Sequence, residues 1–183
     1  MFKATLNVAL VLLAVTAVFA DVPTHPASWK SFLHEQLPIL GHRNWIVIAD
    51  SAYPAQNSAG IVTIETGASQ IEVVREVLRE LGTSIHVAPI IYLDAELKPL
   101  TDHLAPGIEK YKKDLNKVLA GRATYDVLHG DLIKKLDESG KTFKVVILKT
   151  TMTLPYTSVF LNLDCKYWGP EKEKQLREIM KKH

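Results

Sequence analysis

The stretch GHRNWIVIADSAYPAQ, Gly41 to Gln56, sets a histidine and a carboxylate at the two ends of one apolar run, Trp45 to Ala49. An imidazole titrates near neutral pH and can both give and take a proton, so His42 is a candidate general acid/base. A carboxylate accepts hydrogen bonds from two hydroxyls at once, which makes Asp50 a candidate binding group. Each residue also has a plainer explanation. A histidine behind a helix-ending glycine favours the negative end of the helix dipole. An aspartate after a strand caps its own turn through the amides of Ser51 and Ala52. An extended run of eight residues separates the pair by roughly 26 Å. They share a pocket only if the chain folds back near Gly41, or if a second subunit brings a copy of one to the other.

Two further connections carry polar side chains at points where the chain enters or leaves a core element. KTTMTLPYTS, Lys149 to Ser158, joins two apolar runs through hydroxyl residues and Pro155, then presents Tyr156 and Ser158 as the chain re-enters the core. His129 lies between a short β-like run and a helical one, where it is either functional or simply the first residue of a helix. Tyr53, Trp45 and Trp168 are aromatic faces available to a ligand, although core packing accounts better for the two tryptophans.

Other chemistries lack their motifs. The seven histidines are scattered, the lone Cys165 has no CxxC or CxH partner, and HExxH is absent, so no metal site is expected. GxSxG, a P-loop and GxGxxG are missing as well. The formal charge is +2, and the basic residues are spread along helices without an aromatic-interleaved stripe, which argues against nucleic acid as a partner.

The elements that must position these residues alternate. Ser28 caps a helix bearing Trp29, Phe32, Leu33 and Leu37, which Gly41 ends. Trp45 to Asp50 reads as a strand, the polar loop Ser51 to Gly60 follows, and Ile61 to Ile64 is a second strand. Ser69 caps a helix with Ile71, Val74, Val77, Leu78 and Leu81 on one face, stopped by Gly82. Ile85 to Leu93 is β-branched, and Pro89 assigns it to a sheet edge or bulge. A helix from about Pro106 to Ala120, a short strand at Tyr125 to Leu128 and a helix at His129 to Ser139 come next. Phe143 to Lys149 and Thr157 to Leu163 are the last strands, before a charged C-terminal helix. This order predicts an α/β fold, a single domain with a mostly parallel sheet flanked by helices. In such sheets ligands gather at strand ends.

The first residues read separately. Lys3, the apolar run Val8 to Phe19 and the small residues before Asp21 predict a secretory signal cleaved after Ala20, leaving Asp21 to His183 as the domain. The run is shorter than the roughly 20 residues that span a bilayer. A secreted or periplasmic protein without stable membrane insertion is the expectation, and one cysteine leaves it no internal disulfide.

Taken in order, Gly41-His42, then Asp50-Ser51-Ala52-Tyr53-Pro54, then Pro155-Tyr156-Thr157-Ser158 resemble the D-ribose pyranase and L-fucose mutarotase family. The resemblance runs from about Leu37 to Leu163, and His86-Val87-Ala88-Pro89-Ile90 looks like the family's Ala-Pro-containing middle strand. It implies a cofactor-free isomerase that interconverts cyclic forms of a monosaccharide, built as a ring-shaped homo-oligomer with sites near subunit contacts. It also implies His42 as proton donor, with Asp50, His129, Tyr156 and Ser158 on the sugar. The family usually carries asparagine where this chain has Ser158, a shorter group without the amide's paired donor and acceptor. That departure bears first on substrate identity and then on activity. The chemistry is consistent, because opening an aldose ring delivers one proton to the ring oxygen and removes another from the anomeric hydroxyl.

Overall fold

Every side chain of β1, Trp45–Ala49, is buried. A strand closed on both faces needs partners on both edges and a layer on each side. In the computed structural model, which describes residues 28–182, the parallel neighbour is β5 (Val145–Lys149) and the antiparallel one is β6 (Val159–Cys165). Outside β5 lies β2 (Ile61–Glu65), outside β6 lies β3 (Val87–Asp94), and β4 (Thr124–Val127) closes the far edge. The order is β2-β5-β1-β6-β3-β4. Only β6 runs against the others, so the sheet is mixed and mostly parallel. The predicted signal segment lies outside the described residues.

Strand alternation divides the core in two. Ile46, Ile48, Val146, Leu148 and Leu161 face the layer formed by α1 (Trp29–Gln36), α2 (Gln70–Thr83) and α3 (Ile108–Val118). Trp45, Val47, Val145, Ile147 and Phe160 face the other way, against Leu132 and Leu136 of α4 (His129–Gly140). The C-terminal α5 (Pro170–Met180) buries none of its residues. Among the described residues no helix is long and apolar enough to cross a membrane.

Some features differ from the sequence reading. The first helix gives way after Gln36 to a single 3-10 turn, Leu37–Ile39, ahead of Gly41. Gly82 lies inside α2, which ends at the extended Ser84. β3 is interior to the sheet, although Pro89 suggested an edge. β4 pairs only with Ile91–Asp94, so Pro89 sits in the half of β3 whose outer side is open, and the edge character is local.

One buried amide ties the strand ends together. Gln70, at the start of α2, donates through Nε2 to the carbonyls of Ile48 (3.0 Å) and Thr157 (2.8 Å), while its Oε1 accepts from the Thr150 hydroxyl at 2.6 Å. The Thr157 carbonyl also receives the Tyr111 hydroxyl at 2.6 Å. Removing the amide strands several buried polar groups at once. Gln70→Leu is therefore expected to lose about 2–4 kcal/mol of stability, read as a lower urea midpoint at unchanged slope.

Candidate active site

Because β6 opposes its neighbours, its start lies at the same sheet edge as the C-terminal ends of the parallel strands. That edge collects Asp50 after β1, Asp94 at the end of β3, His129 at the start of α4 and the Tyr156–Ser158 segment entering β6. Residues as far as 108 positions apart are thus brought to one place.

Both oxygens of Asp50 are engaged. Oδ1 accepts the Ala52 amide at 2.9 Å, the self-capping turn foreseen as the plainer explanation, and Oδ2 accepts the Ser158 hydroxyl at 3.2 Å. Ser158 itself is fully buried. It stands behind Asp50, bonded to that carboxylate, where the resemblance implied a sugar contact. Tyr156 is 37% exposed and has φ +55°, a left-handed conformation that is costly for a residue with a bulky side chain. The strain turns its ring toward the imidazole of His129, with centroids 5.7 Å apart and planes at 84°.

His129 is held at two levels. Its backbone N–H donates to both carboxylate oxygens of Glu96, at 3.1 Å each, which caps α4. Its Nδ1 lies 2.9 Å from Oδ1 of Asp94. Tyr53 and Phe160 complete an aromatic ring around the imidazole, at 6.1 and 6.4 Å. Tyr53 is 3% exposed and bonded through its hydroxyl to Gln56, so it packs the site wall and offers no open face; Trp45 is likewise buried. Lys149 secures the Tyr53 loop by donating to the Tyr53 carbonyl at 2.9 Å.

Asp94 is buried, and its Oδ2 has no hydrogen-bond partner. Burial pushes its carboxyl up to about 6; the bond to His129 counters this, while the charges of Glu96 and Asp50 add to it. Burial likewise drives the Tyr53 hydroxyl above its ordinary range, helped by Asp94, Asp137 and Asp50. A cleft of about 280 Å³ adjoins this corner, lined by Asp94, Lys98, Lys112 and Asp126 among others. Among the described residues no group of three or more His, Cys, Asp or Glu is arranged to hold a metal ion.

His42 is elsewhere. The chain does turn at Gly41, whose amide donates to Asn44 Oδ1 at 2.6 Å, and Arg43 donates to the Leu163 carbonyl at 2.8 Å. This turn stays at the N-terminal edge of β1, with His42 exposed to solvent. Within one chain, β1 stands between His42 and Asp50, and the fold-back that would have joined them does not occur.

Asp94, Glu96 and Gln70 were not singled out from the sequence. An aspartate directly following an apolar strand was the available signal for Asp94, since it repeats the pattern of Asp50. Nothing in Ser69-Gln70 beyond a helix start pointed to Gln70.

No protein-family model and no curated protein sequence matches the chain. Solved structures do. RbsD from Bacillus subtilis, in complex with D-ribose, is 20% identical with a TM-score of 0.54, covering 73% of this chain and 92% of its own. A fucose mutarotase from Streptococcus pneumoniae, in complex with L-fucose, is 18% identical with a TM-score of 0.48 over 75% and 92%. FucU from Bifidobacterium longum is 21% identical with a TM-score of 0.42 over 71% and 93%. The chain shares its fold with the Bacillus protein: one mixed six-stranded sheet flanked by helices.

Proposed function

We propose that this chain is a cofactor-free monosaccharide mutarotase or pyranase, a secreted or periplasmic member of the D-ribose pyranase and L-fucose mutarotase family. The observation that carries the reading is the convergence of Asp50, His129 and Tyr156 at one sheet edge, on a fold shared with a protein whose structure holds D-ribose. Asp50 accepts sugar hydroxyls and Ser158 orients it. Tyr156 offers an exposed ring for the sugar's C–H face, and His129 contacts the sugar beside it. His42 is the acid/base group, and it reaches this site from a second copy of the chain in a ring-shaped homo-oligomer, because its own Asp50 lies at the far end of β1.

The reaction needs only proton transfer. A protonated imidazole gives its proton to the ring oxygen as the C1–O bond opens, and reclosure on either face of the aldehyde reverses the step. The test is saturation-transfer NMR on ribose, fucose and a panel of other aldoses, comparing wild type with His42→Ala. Accelerated exchange of at least one sugar by wild type, falling about 100-fold in the variant, supports the reading. Equal rates with and without protein for every sugar would end it.

A second reading, a non-catalytic monosaccharide-binding protein, is favoured by one feature: the usual asparagine is replaced by a buried Ser158 that bonds Asp50. Calorimetry separates the two, since saturable binding without catalysed exchange belongs to the second alone.

A further inference from the structure

Ring opening moves two protons, one to the ring oxygen and one from the anomeric hydroxyl, and His42 accounts for only one of them. We propose that His129 is the second proton-transfer group of the sugar site, and that Asp94 is the residue that positions it. The inference rests on the mutarotase reading and assigns a catalytic role to a histidine otherwise read as a sugar contact.

The geometry separates structural from chemical duties. α4 is already anchored at its first residue by Glu96, which takes the His129 backbone N–H on both carboxylate oxygens. The Asp94 contact adds nothing to that cap, because it goes to the side chain alone, Nδ1 to Oδ1 at 2.9 Å. A carboxylate accepts and does not donate, so this bond places the proton of a neutral imidazole on Nδ1 and leaves the Nε2 lone pair bare. Among the described residues Nε2 has no hydrogen-bond partner, and the His129 side chain keeps 23% of its exposure. The edges of Tyr53, Tyr156 and Phe160 surround the ring and limit its rotation.

The second observation is Asp94 itself. Its side chain is fully shielded and Oδ2 is left without a partner, an arrangement that folding alone disfavours and that functional sites retain. The groups facing the pair are Glu96 and Asp50, both acidic, with the rings of Tyr53 and Tyr156 against the imidazole; Lys98 and Lys112 share a cleft with Asp94, and Lys149 is directed to the Tyr53 carbonyl.

The proton and electron count closes. Nε2 of His129 takes the proton of the anomeric hydroxyl, and the O1–H electrons form the C1=O1 double bond. The C1–O5 bond breaks with its electron pair passing to the ring oxygen, which receives a proton from the imidazolium of His42 in the second copy. Opening thus leaves His129 protonated and His42 neutral, and closing returns both.

The test has a readout that needs no sugar. Ring ¹⁵N shifts of His129, at a pH where it is neutral, report which nitrogen carries the proton. The expected result is Nδ1–H in wild type and loss of that preference in Asp94→Asn. Saturation-transfer rates for the same two proteins are expected to differ about 100-fold in kcat, with KM within about threefold. A neutral His129 protonated on Nε2 in wild type overturns the proposal without any variant, which covers the case of an Asp94→Asn chain that does not fold. Retention of the Nδ1–H form together with wild-type exchange in Asp94→Asn also overturns it. If wild type exchanges no sugar, the reaction and the catalytic role fall together, while the ¹⁵N shifts still show whether Asp94 holds the ring; the two failures are therefore distinct.

Discussion

Mixed in equal amounts and reassembled, His42→Ala and Asp50→Ala chains are expected to recover about a quarter of wild-type sugar exchange, although each alone loses about 100-fold or more. The expectation follows from β1. Its five residues hold His42 and Asp50 at opposite edges of the sheet, so a site containing both must take them from different copies. In a mixture, an intact site forms where an Asp50→Ala chain supplies its normal His42 to a His42→Ala chain that supplies its normal Asp50. Random assembly pairs them that way at about one contact in four. Saturation-transfer NMR on the mixture, against the unmixed variants, measures the recovery. A control mixes wild type with the double variant: shared sites give about a quarter of full activity and self-contained sites about half. No recovery in the first mixture, together with half activity in the second, would return the whole site to one chain and remove His42 from it.

The same strand shows what can be read from sequence and where reading stops. β1 was legible because five consecutive apolar residues between a glycine turn and a carboxylate admit little besides a buried strand. The position of Asp50 was legible, at the C-terminal end of β1, where parallel sheets place ligands. Asp94 occupies the equivalent end of β3, yet a carboxylate after a strand is usually an ordinary cap. Only the pairing of β3 with β4, which brings α4 alongside, distinguishes it. Ser158 shows the opposite limit. The sequence placed it at the start of a core strand, Thr157 to Leu163, and the resemblance gave it a sugar contact; β6 starts only at Val159, and Thr157 and Ser158 lie buried just ahead of it. The orientation of Tyr156 depends on a left-handed backbone that no propensity favours in a tyrosine, and it had to be seen. Pro89 was read as the mark of an edge or bulge, whereas β3 is interior and only its first half has an open side. What the sequence could not reveal was that β4 is too short to reach it.

Asp94→Asn is expected to gain on wild type in stability as pH rises, by about 3 kcal/mol between about pH 3.5 and 7. The sign follows from the direction of the shift. Burial raises the folded-state carboxyl from 3.8 to about 6, so the native chain holds this proton more tightly than the unfolded one. Below about pH 4 both states are protonated and the group contributes nothing. From about pH 4 to 6 the unfolded state releases its proton first, and wild type loses stability as pH rises; above about 6 the full penalty applies. A shift of about two units corresponds to about 3 kcal/mol, and asparagine, having no proton to release, does not pay it. Urea unfolding of both proteins across that range measures the difference. A difference independent of pH would mean that Asp94 is ionised as readily as any surface aspartate, contradicting its burial and its orphaned Oδ2. A carboxylate that weakens the fold at neutral pH, in a place where Glu96 already caps α4, has no structural reason to be there. Its cost fits the role proposed for it, keeping one imidazole nitrogen of His129 occupied so that the other stays free to take a proton.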